Sequence, residues 1–255
     1  MKKYTFYKYS PGGNETILIE NRSASISREN YPSIAKKIMQ LKQLQCEQVG
    51  FIEPETSPEA NGRLHMMGGE YCVNAIRCLA MRLSKENPQK TLQIECSGTN
   101  ELTKVLIEGE NVRVVLDPGK LKKEEEICIV QMPGITHLVT QVKEFTNKTQ
   151  QNEQMVELLI QYKNQLNEVE AIGYILYKIV PTGVDIRPLI YVRSTESKVY
   201  ETACGSGSLA VFQDIGQNSL NIIQASSYIY KMEKIKEKVE LSSPVISINQ
   251  GEVCI

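Results

Sequence analysis

The chain has 255 residues, 41% of them hydrophobic and 23% charged, with a formal net charge of −1. This is the composition of a soluble globular protein, long enough for one large domain or two medium lobes. The near-zero charge excludes a bulk field that would gather nucleic acid or an anionic membrane, and no apolar run approaches the roughly 20 residues that span a bilayer. The opening MKKYTFYKYSPGGN has lysines but no apolar core and does not read as a signal peptide, so the cytoplasm is the expected compartment. Cysteines stand at 46, 72, 78, 96, 128, 204 and 254, an odd number without a CxxC, which argues against a disulfide scaffold. His65 and His137 lie far apart in sequence, without zinc-ligand spacing, and no metal is expected.

In chain order, YTFYKY and TILIE predict two strands around the turn Pro11-Gly12-Gly13-Asn14. Ile34, Ile38, Met39 and Leu41 recur at helical spacing, with Pro32 near the helix start. QVGFIE and RLHMM predict strands, and VNAIRCLAMRLSKEN a helix with Ile76, Leu79, Ala80 and Leu83 on one face. Strands TLQIECS, ELTKVLIE and NVRVVL follow, with a hairpin at Gly109-Glu110. The second half repeats the order: strand EICIVQM, turn PGIT, strand HLVTQV, a helix over Gln151–Leu166, strands AIGYILYKIV, IRPLIYVR and KVYETA, then a helix from Gly205 to Ile215. Short strands NIIQAS, EKVELS, PVISIN and EVCI end the chain.

Pro11-Gly12 and Pro133-Gly134 are offset by nearly the same distance as Cys72 and Cys204, which suggests a duplication with small insertions. The boundary falls near Asp117-Pro118-Gly119. It gives an N-terminal lobe over 1–117 with Cys72, a C-terminal lobe over 118–248 with Cys204, and a terminal strand, 249–255, returning to the first lobe.

Cys72 and Cys204 each sit between a strand and a helix with small or polar first residues, Val73-Asn74-Ala75 and Gly205-Ser206-Gly207. The first amides of a helix lack internal partners and carry a positive field. Such a field is expected to lower the thiol pKa towards neutrality and to hold a carboxylate. Two matched thiols across a cleft, one ionised and one neutral, suit inversion of a stereocentre: one removes a proton from one face, the other returns one on the opposite face. The other five cysteines read as core or surface residues. Glu201 is expected to hold a strand end, His65 to be structural or on the cleft rim, and Arg77 to be a structural ion-pair partner.

The segments Glu70-Tyr71-Cys72-Val73-Asn74-Ala75-Ile76-Arg77-Cys78 and Tyr200-Glu201-Thr202-Ala203-Cys204-Gly205-Ser206-Gly207 resemble the two cysteine motifs of the diaminopimelate epimerase family, Cys-Gly-Asn-Gly-x-Arg-Cys and Glu-Thr-x-Ala-Cys-Gly-Ser/Thr-Gly. PGGNET, GITHLV, PTGVDI and SSPVISINQGEV look like four further family segments, so the resemblance extends over nearly the whole chain. It implies an α/β (α+β) fold of two pseudo-symmetric lobes, each a curled mixed sheet around a central helix. It implies catalytic Cys72 and Cys204, with no pyridoxal phosphate, other cofactor or metal. The α-carboxylate of an amino acid would bind the amides of Val73, Asn74, Gly205 and Ser206. Asn14, His137, Asp185 and Glu196 would be further substrate-binding residues.

The departures bear on substrate. Ser197 stands where the family places an Arg for a distal carboxylate, Met66 or Met67 near a lost asparagine, Ile135 at another, and Asp185 at a third. An anionic distal end is therefore disfavoured, and Asp185 and Glu196 would suit a polar or cationic side chain. The pattern is similar to the branch that includes histidine racemases, which makes histidine the leading substrate and diaminopimelate the alternative. A small molecule is the only partner expected, with no nucleic acid or membrane; a homodimer is left open. A non-catalytic amino-acid-binding protein of the same fold is the reading from another class. A cysteine hydrolase with His137 as base leaves the second cysteine unexplained. Isomerases of the phenazine-biosynthesis type usually carry other groups at the cysteine positions.

Overall fold

The computed structural model describes residues 2–166 and 168–255. The first hairpin joins β1 (Lys3–Pro11) to β2 (Thr16–Glu20). Its turn needs glycine: Gly12 and Gly13 have φ of 71° and 96°, and a Cβ on Gly12 would lie 2.3 Å from the Tyr230 ring. After α1 (Tyr31–Gln40), with Pro32 in its first turn, β3 (Gln48–Glu53) lies parallel to β2 and antiparallel to β4 (Gly62–Met66). Helix α2 (Val73–Glu86) crosses to β5 (Thr91–Cys96), which leads through β6 (Thr103–Glu108) to β7 (Asn111–Leu116). The 17-residue final strand β16 (Lys238–Cys254) pairs with β7 over Val239–Pro244 and with β1 over Val245–Cys254. That return closes β1 to β7 and β16 into an eight-stranded barrel.

Helix α2 fills the barrel, packing on β1, β2, β4, β5, β6, β7 and β16. Every residue from Val73 to Met81 is buried, so this helix has no solvent face over its first half. Cys78 is one of them, as its place behind the motif suggests. Arg77 corrects the ion-pair expectation. It is fully buried and meets no carboxylate among the described residues, donating instead to the Ser243 carbonyl (2.6 Å), the Ser243 hydroxyl (2.5 Å) and the Val112 carbonyl (3.3 Å).

The sheet continues without a break from β16 to β15 (Ile229–Ile235), β14 (Ser219–Ile223), β12 (Gly183–Val192), β11 (Ala171–Val180), β10 (Ile135–Gln141), β9 (Cys128–Met132) and β8 (Lys120–Lys123), where it ends open. A short β13 (Ser197–Tyr200) pairs with the far end of β12. Helix α5 (Gly205–Ile215) packs on β10, β11, β15 and β16, and α3 (Lys148–Gln161) with α4 (Lys163–Leu166) covers the opposite face. β11 therefore alternates between two cores. Ile172, Tyr174 and Leu176 join Met155 and Leu166 in one, while Ala171 and Ile175 belong to the main core.

The mixed α/β class agrees with the sequence. The tail does not: one long strand replaces three short ones, and β15 and the fully exposed β8 lie where no strand is expected. The strand shared with the first half starts at Lys238, well before residue 249. Among the described residues no helix is long and apolar enough to cross a membrane. Because the first half of α2 is enclosed on all sides, Ile76→Ala should lower stability by about 2–5 kcal/mol, read as a reduced denaturation midpoint with an unchanged denaturant slope.

Candidate active site

Cys72 and Cys204 occupy equivalent positions. Each is the N-cap of its helix, with nearly the same backbone (φ −130°, ψ 105°; φ −131°, ψ 111°), and each sulfur accepts from the amide three residues on. Those contacts are 3.4 Å from Ala75 and 3.3 Å from Gly207. Both line one cleft of about 500 Å³, counting its open mouth, together with Val73, Asn74, Gly205 and Ser206. The two helix starts touch: a Cβ on Gly205 would lie 2.8 Å from Cβ and Cγ1 of Val73. Asn74 ties them together by donating 3.0 Å to the Ala203 carbonyl, while its Oδ1 meets the Tyr230 hydroxyl at 2.9 Å. Among the described residues, the amides of Val73, Asn74, Gly205 and Ser206 donate to no protein acceptor, as the geometry of a helix start requires. Four unpaired donors at the junction of two helix dipoles form an anion site.

Side-chain networks set the strand ends that carry the cysteines. The Cys204 amide donates 2.9 Å to Gln224 Oε1, and Gln224 Nε2 reaches the Ser208 hydroxyl at 2.9 Å. Ahead of Cys72, the Ser97 hydroxyl donates 2.7 Å to the Glu70 carbonyl. Glu47 joins the two halves of the sequence, taking Thr202 Oγ1 at 2.6 Å and Asn14 Nδ2 at 2.7 Å.

The electrostatics correct the sequence expectation for the thiols. The helix-start amides do favour the ionised form, but burial outweighs them and pushes both thiols well above the usual cysteine value. The Glu201 carboxyl, facing both sulfurs, adds to the rise. Burial pushes Glu70 up to about 7 and Glu201 up to about 8. His137 is pushed down to about 3 by burial and is neutral.

Of the remaining residues singled out in the sequence, Asn14 is fully buried behind the cleft wall, bonded to Glu47, Gln48 and Thr16. His137 is also enclosed, and its Nε2 lies 2.9 Å from the Ser206 hydroxyl. Asp185 and Glu196 are not brought to the cleft. Asp185 lies near the start of β12, at the end away from β13, ion-paired with Arg187, and Glu196 is exposed in the β12–β13 turn with φ 50°. His65 packs edge-on against Tyr31, with ring centroids 5.4 Å apart. In place of Asp185 and Glu196 the polar lining is Glu47, Gln48, Glu70 and Glu201. The wall beyond is apolar, from Met67, Ile135, Ile190, Val192 and Val199. Among the described residues lining the cleft there is no Lys, Arg or His, and nowhere among the described residues do three or more His, Cys, Asp or Glu gather to hold a metal ion. Glu70 and Gln48 carried a weak signal, as polar residues at the edge of apolar or glycine-rich segments; their convergence depends on the barrel.

Residues 3–226 match the family described as the histidine racemase CntK N-terminal domain. The chain belongs to the histidine racemase family. The histidine racemase of Fusobacterium nucleatum subsp. nucleatum is 30% identical over 98% of this chain and 97% of its own length. That of Staphylococcus aureus is 29% identical over 84% of this chain and 81% of its own. Among solved structures, a hydroxyproline epimerase from Agrobacterium vitis with bound trans-4-hydroxy-L-proline has the same fold (TM-score 0.66, 10% identity, 99% of this chain and 91% of that one). The protein is an isomerase of the racemase and epimerase class.

The contact between helix starts sets a sharp steric limit in this racemase. Gly205→Ala drives a Cβ into Val73 and should cut turnover at least tenfold while far-ultraviolet circular dichroism stays native. Adding Val73→Gly removes the clashing atoms and should restore much of the lost rate.

Proposed function

We propose that the protein racemises histidine by a two-thiol mechanism without a cofactor. The observation that carries this reading is the pair of cysteine-capped helix starts, touching at Val73 and Gly205 and lining one cleft with four unpaired amides. The substrate α-carboxylate would take those amides, which puts the α-carbon between the sulfurs. One thiolate removes the α-proton, and the other thiol delivers its own proton to the opposite face. The negative charge that develops next to the carboxylate is stabilised by the same amides, already aimed and needing no reorganisation. After one turnover the two sulfurs have exchanged protonation states, which suits a reaction that runs both ways.

The lining supports histidine over diaminopimelate. An anionic distal end would be buried among carboxyl groups and apolar side chains with no cation opposite it, a costly arrangement. A nitrogen-bearing ring can instead pack on the apolar wall and hydrogen-bond Glu70 or Glu201. These two carboxyls take the part that the sequence suggested for Asp185 and Glu196. The names of the relatives favour the same substrate. His137, through Ser206, and Asn14, through Gln48, would then shape the cleft without touching substrate. We further infer that residues 1–117 and 118–248 act as the two lobes that carry one thiol each. The seven free cysteines are in keeping with a reducing, cytoplasmic setting.

Chiral chromatography of reactions with each proteinogenic amino acid and LL-diaminopimelate tests the substrate, with fast turnover of histidine and little of diaminopimelate expected. Cys72→Ser and Cys204→Ser should each lower racemisation by about 10²–10⁴. Near-normal racemisation by either variant would falsify the two-thiol mechanism, and selective turnover of diaminopimelate would overturn the substrate.

The pH profile follows from the raised thiols. The base must be ionised, and in the free enzyme both sulfurs titrate above the ordinary cysteine range. Thus kcat/KM should rise with pH from neutrality into the alkaline range, by roughly tenfold per pH unit where a single ionisation limits. A profile flat above pH ~7 would show that the free enzyme already holds a thiolate.

A further inference from the structure

The two sulfurs are alike in backbone but not in partners. Cys72 Sγ lies 3.2 Å from Gln48 Oε1, an oxygen that can only accept a hydrogen. The orientation of that amide is fixed from behind. As a carboxylate Glu47 can only accept: its Oε2 takes Thr202 N (3.0 Å) and Asn14 Nδ2 (2.7 Å), while its Oε1 lies 2.6 Å from Thr202 Oγ1, a hydroxyl that also reaches the Gly13 carbonyl at 2.7 Å. Asn14 must therefore turn its NH₂ to Glu47 and its Oδ1 the other way, where it takes Gln48 Nε2 at 2.6 Å. The same Gln48 nitrogen donates 2.8 Å to Thr16 Oγ1, which uses both of its hydrogens. Asn14, Thr16 and Gln48 are all buried, so flipping the Gln48 amide would set oxygen against oxygen and leave buried groups unpaired. Its carbonyl is thus held against Cys72, where it accepts from an S–H and repels a thiolate.

Among the described residues no carbonyl is a hydrogen-bond partner of Cys204 Sγ. The sulfur faces the Gly207 amide (3.3 Å) and the Ser206 hydroxyl (3.7 Å), which is held by His137. The charged and titratable groups around the pair are Glu201, which faces both sulfurs, Glu70 and Cys96, which face Cys72, and Tyr230, which faces Cys204. Glu70 therefore adds to the bias against an ionised Cys72. Glu201 opposes ionisation of both sulfurs and so gives no preference to Cys72.

We propose that Gln48 is a positioning residue that holds Cys72 as the protonated thiol of the ligand-free cleft, leaving Cys204 as the base that removes the first proton. This rests on the two-thiol reading and adds an order to it. The enantiomer whose α-hydrogen faces Cys204 meets the enzyme ready to react. The other must wait for a proton to move from Cys72 before catalysis starts.

The test is thiolate ultraviolet absorbance against pH for the full-length Cys204→Ser variant, which reports Cys72, and the Cys72→Ser variant, which reports Cys204. Each is taken as the difference from Cys72→Ser/Cys204→Ser, which removes the other five cysteines. Cys204 should ionise at least about one pH unit below Cys72, a tenfold difference in ionised fraction. Adding Gln48→Leu to Cys204→Ser should bring the Cys72 midpoint down, while in the Cys72→Ser background it should leave Cys204 where it was. Cys72 ionising first or together with Cys204 overturns the proposal, and so does a folded Gln48→Leu protein with an unmoved Cys72. If Gln48→Leu does not fold, the order of the two midpoints, measured with Gln48 in place, decides alone. The two readings fail separately: racemisation that survives a Cys→Ser change sinks the two-thiol mechanism, whereas lost racemisation with Cys72 ionising first sinks only the order.

Discussion

Gly205 lacks a Cβ, and Val73 stands in the space that atom would fill. Everything distinctive about the cleft depends on this contact. It lets two helix starts, which normally repel through the like ends of their dipoles, come together side by side. The barrel imposes the approach from one side by enclosing α2, and the sheet that runs on past β16 imposes it from the other by holding α5. What the contact yields is a surface of unpaired amides with a sulfur on either side of it. The amides of Val73 and Asn74 belong to one helix and those of Gly205 and Ser206 to the other, so an anion bound there neutralises both dipole ends at once.

Such a junction is electropositive, and the molecule surrounds it with acids. Glu47, Glu70 and Glu201 all border the cleft without a basic side chain among its lining. Buried carboxyls without a cation tend to hold their protons, which is the direction found for all three. Arg77 is the converse case, a guanidinium enclosed among carbonyl and hydroxyl oxygens directly behind Asn74. Its placement ties α2 to Ser243 of β16 and so fixes the depth of the helix in the barrel.

The parts of this arrangement written locally were legible in the sequence. A cysteine before small residues at a helix start announces both an N-cap and an anion site, and that signal occurs twice. The apolar periodicity of α2 and the glycine turn after β1 are equally local. What could not be read is whatever depends on closure. β8, sequence Lys-Leu-Lys-Lys, is exposed throughout and has no alternation to betray it, and β16 contains Pro244 and Gly251, which break its pattern into apparent short strands. The site followed the same division. Val73, Asn74, Gly205 and Ser206 reach the cleft because they are adjacent to the cysteines, while Asp185 and Glu196, assigned by motif register alone, lie elsewhere on β12 and its turn. Gln48 and Glu70 reach the cleft because the barrel curls, and no spacing in the sequence encodes that. The expected thiol acidity failed for a related reason: the helix field is local and readable, while the burial that outweighs it is a property of the whole fold.

A sheet closed at one end and open at the other also has a consequence for how molecules of this chain meet at high concentration. The barrel strands are paired on both sides, but the strand path ends at β8, whose backbone can be joined by a foreign strand. Three of its four residues are Lys120, Lys122 and Lys123, and all four are exposed. The β8 strand of a second copy would bring three more ammonium groups against these, of which Lys122 and Lys123 already hold Glu124 and Asp214. The lysine-rich stretch that hides β8 from pattern reading is thus also a barrier against edge-to-edge aggregation.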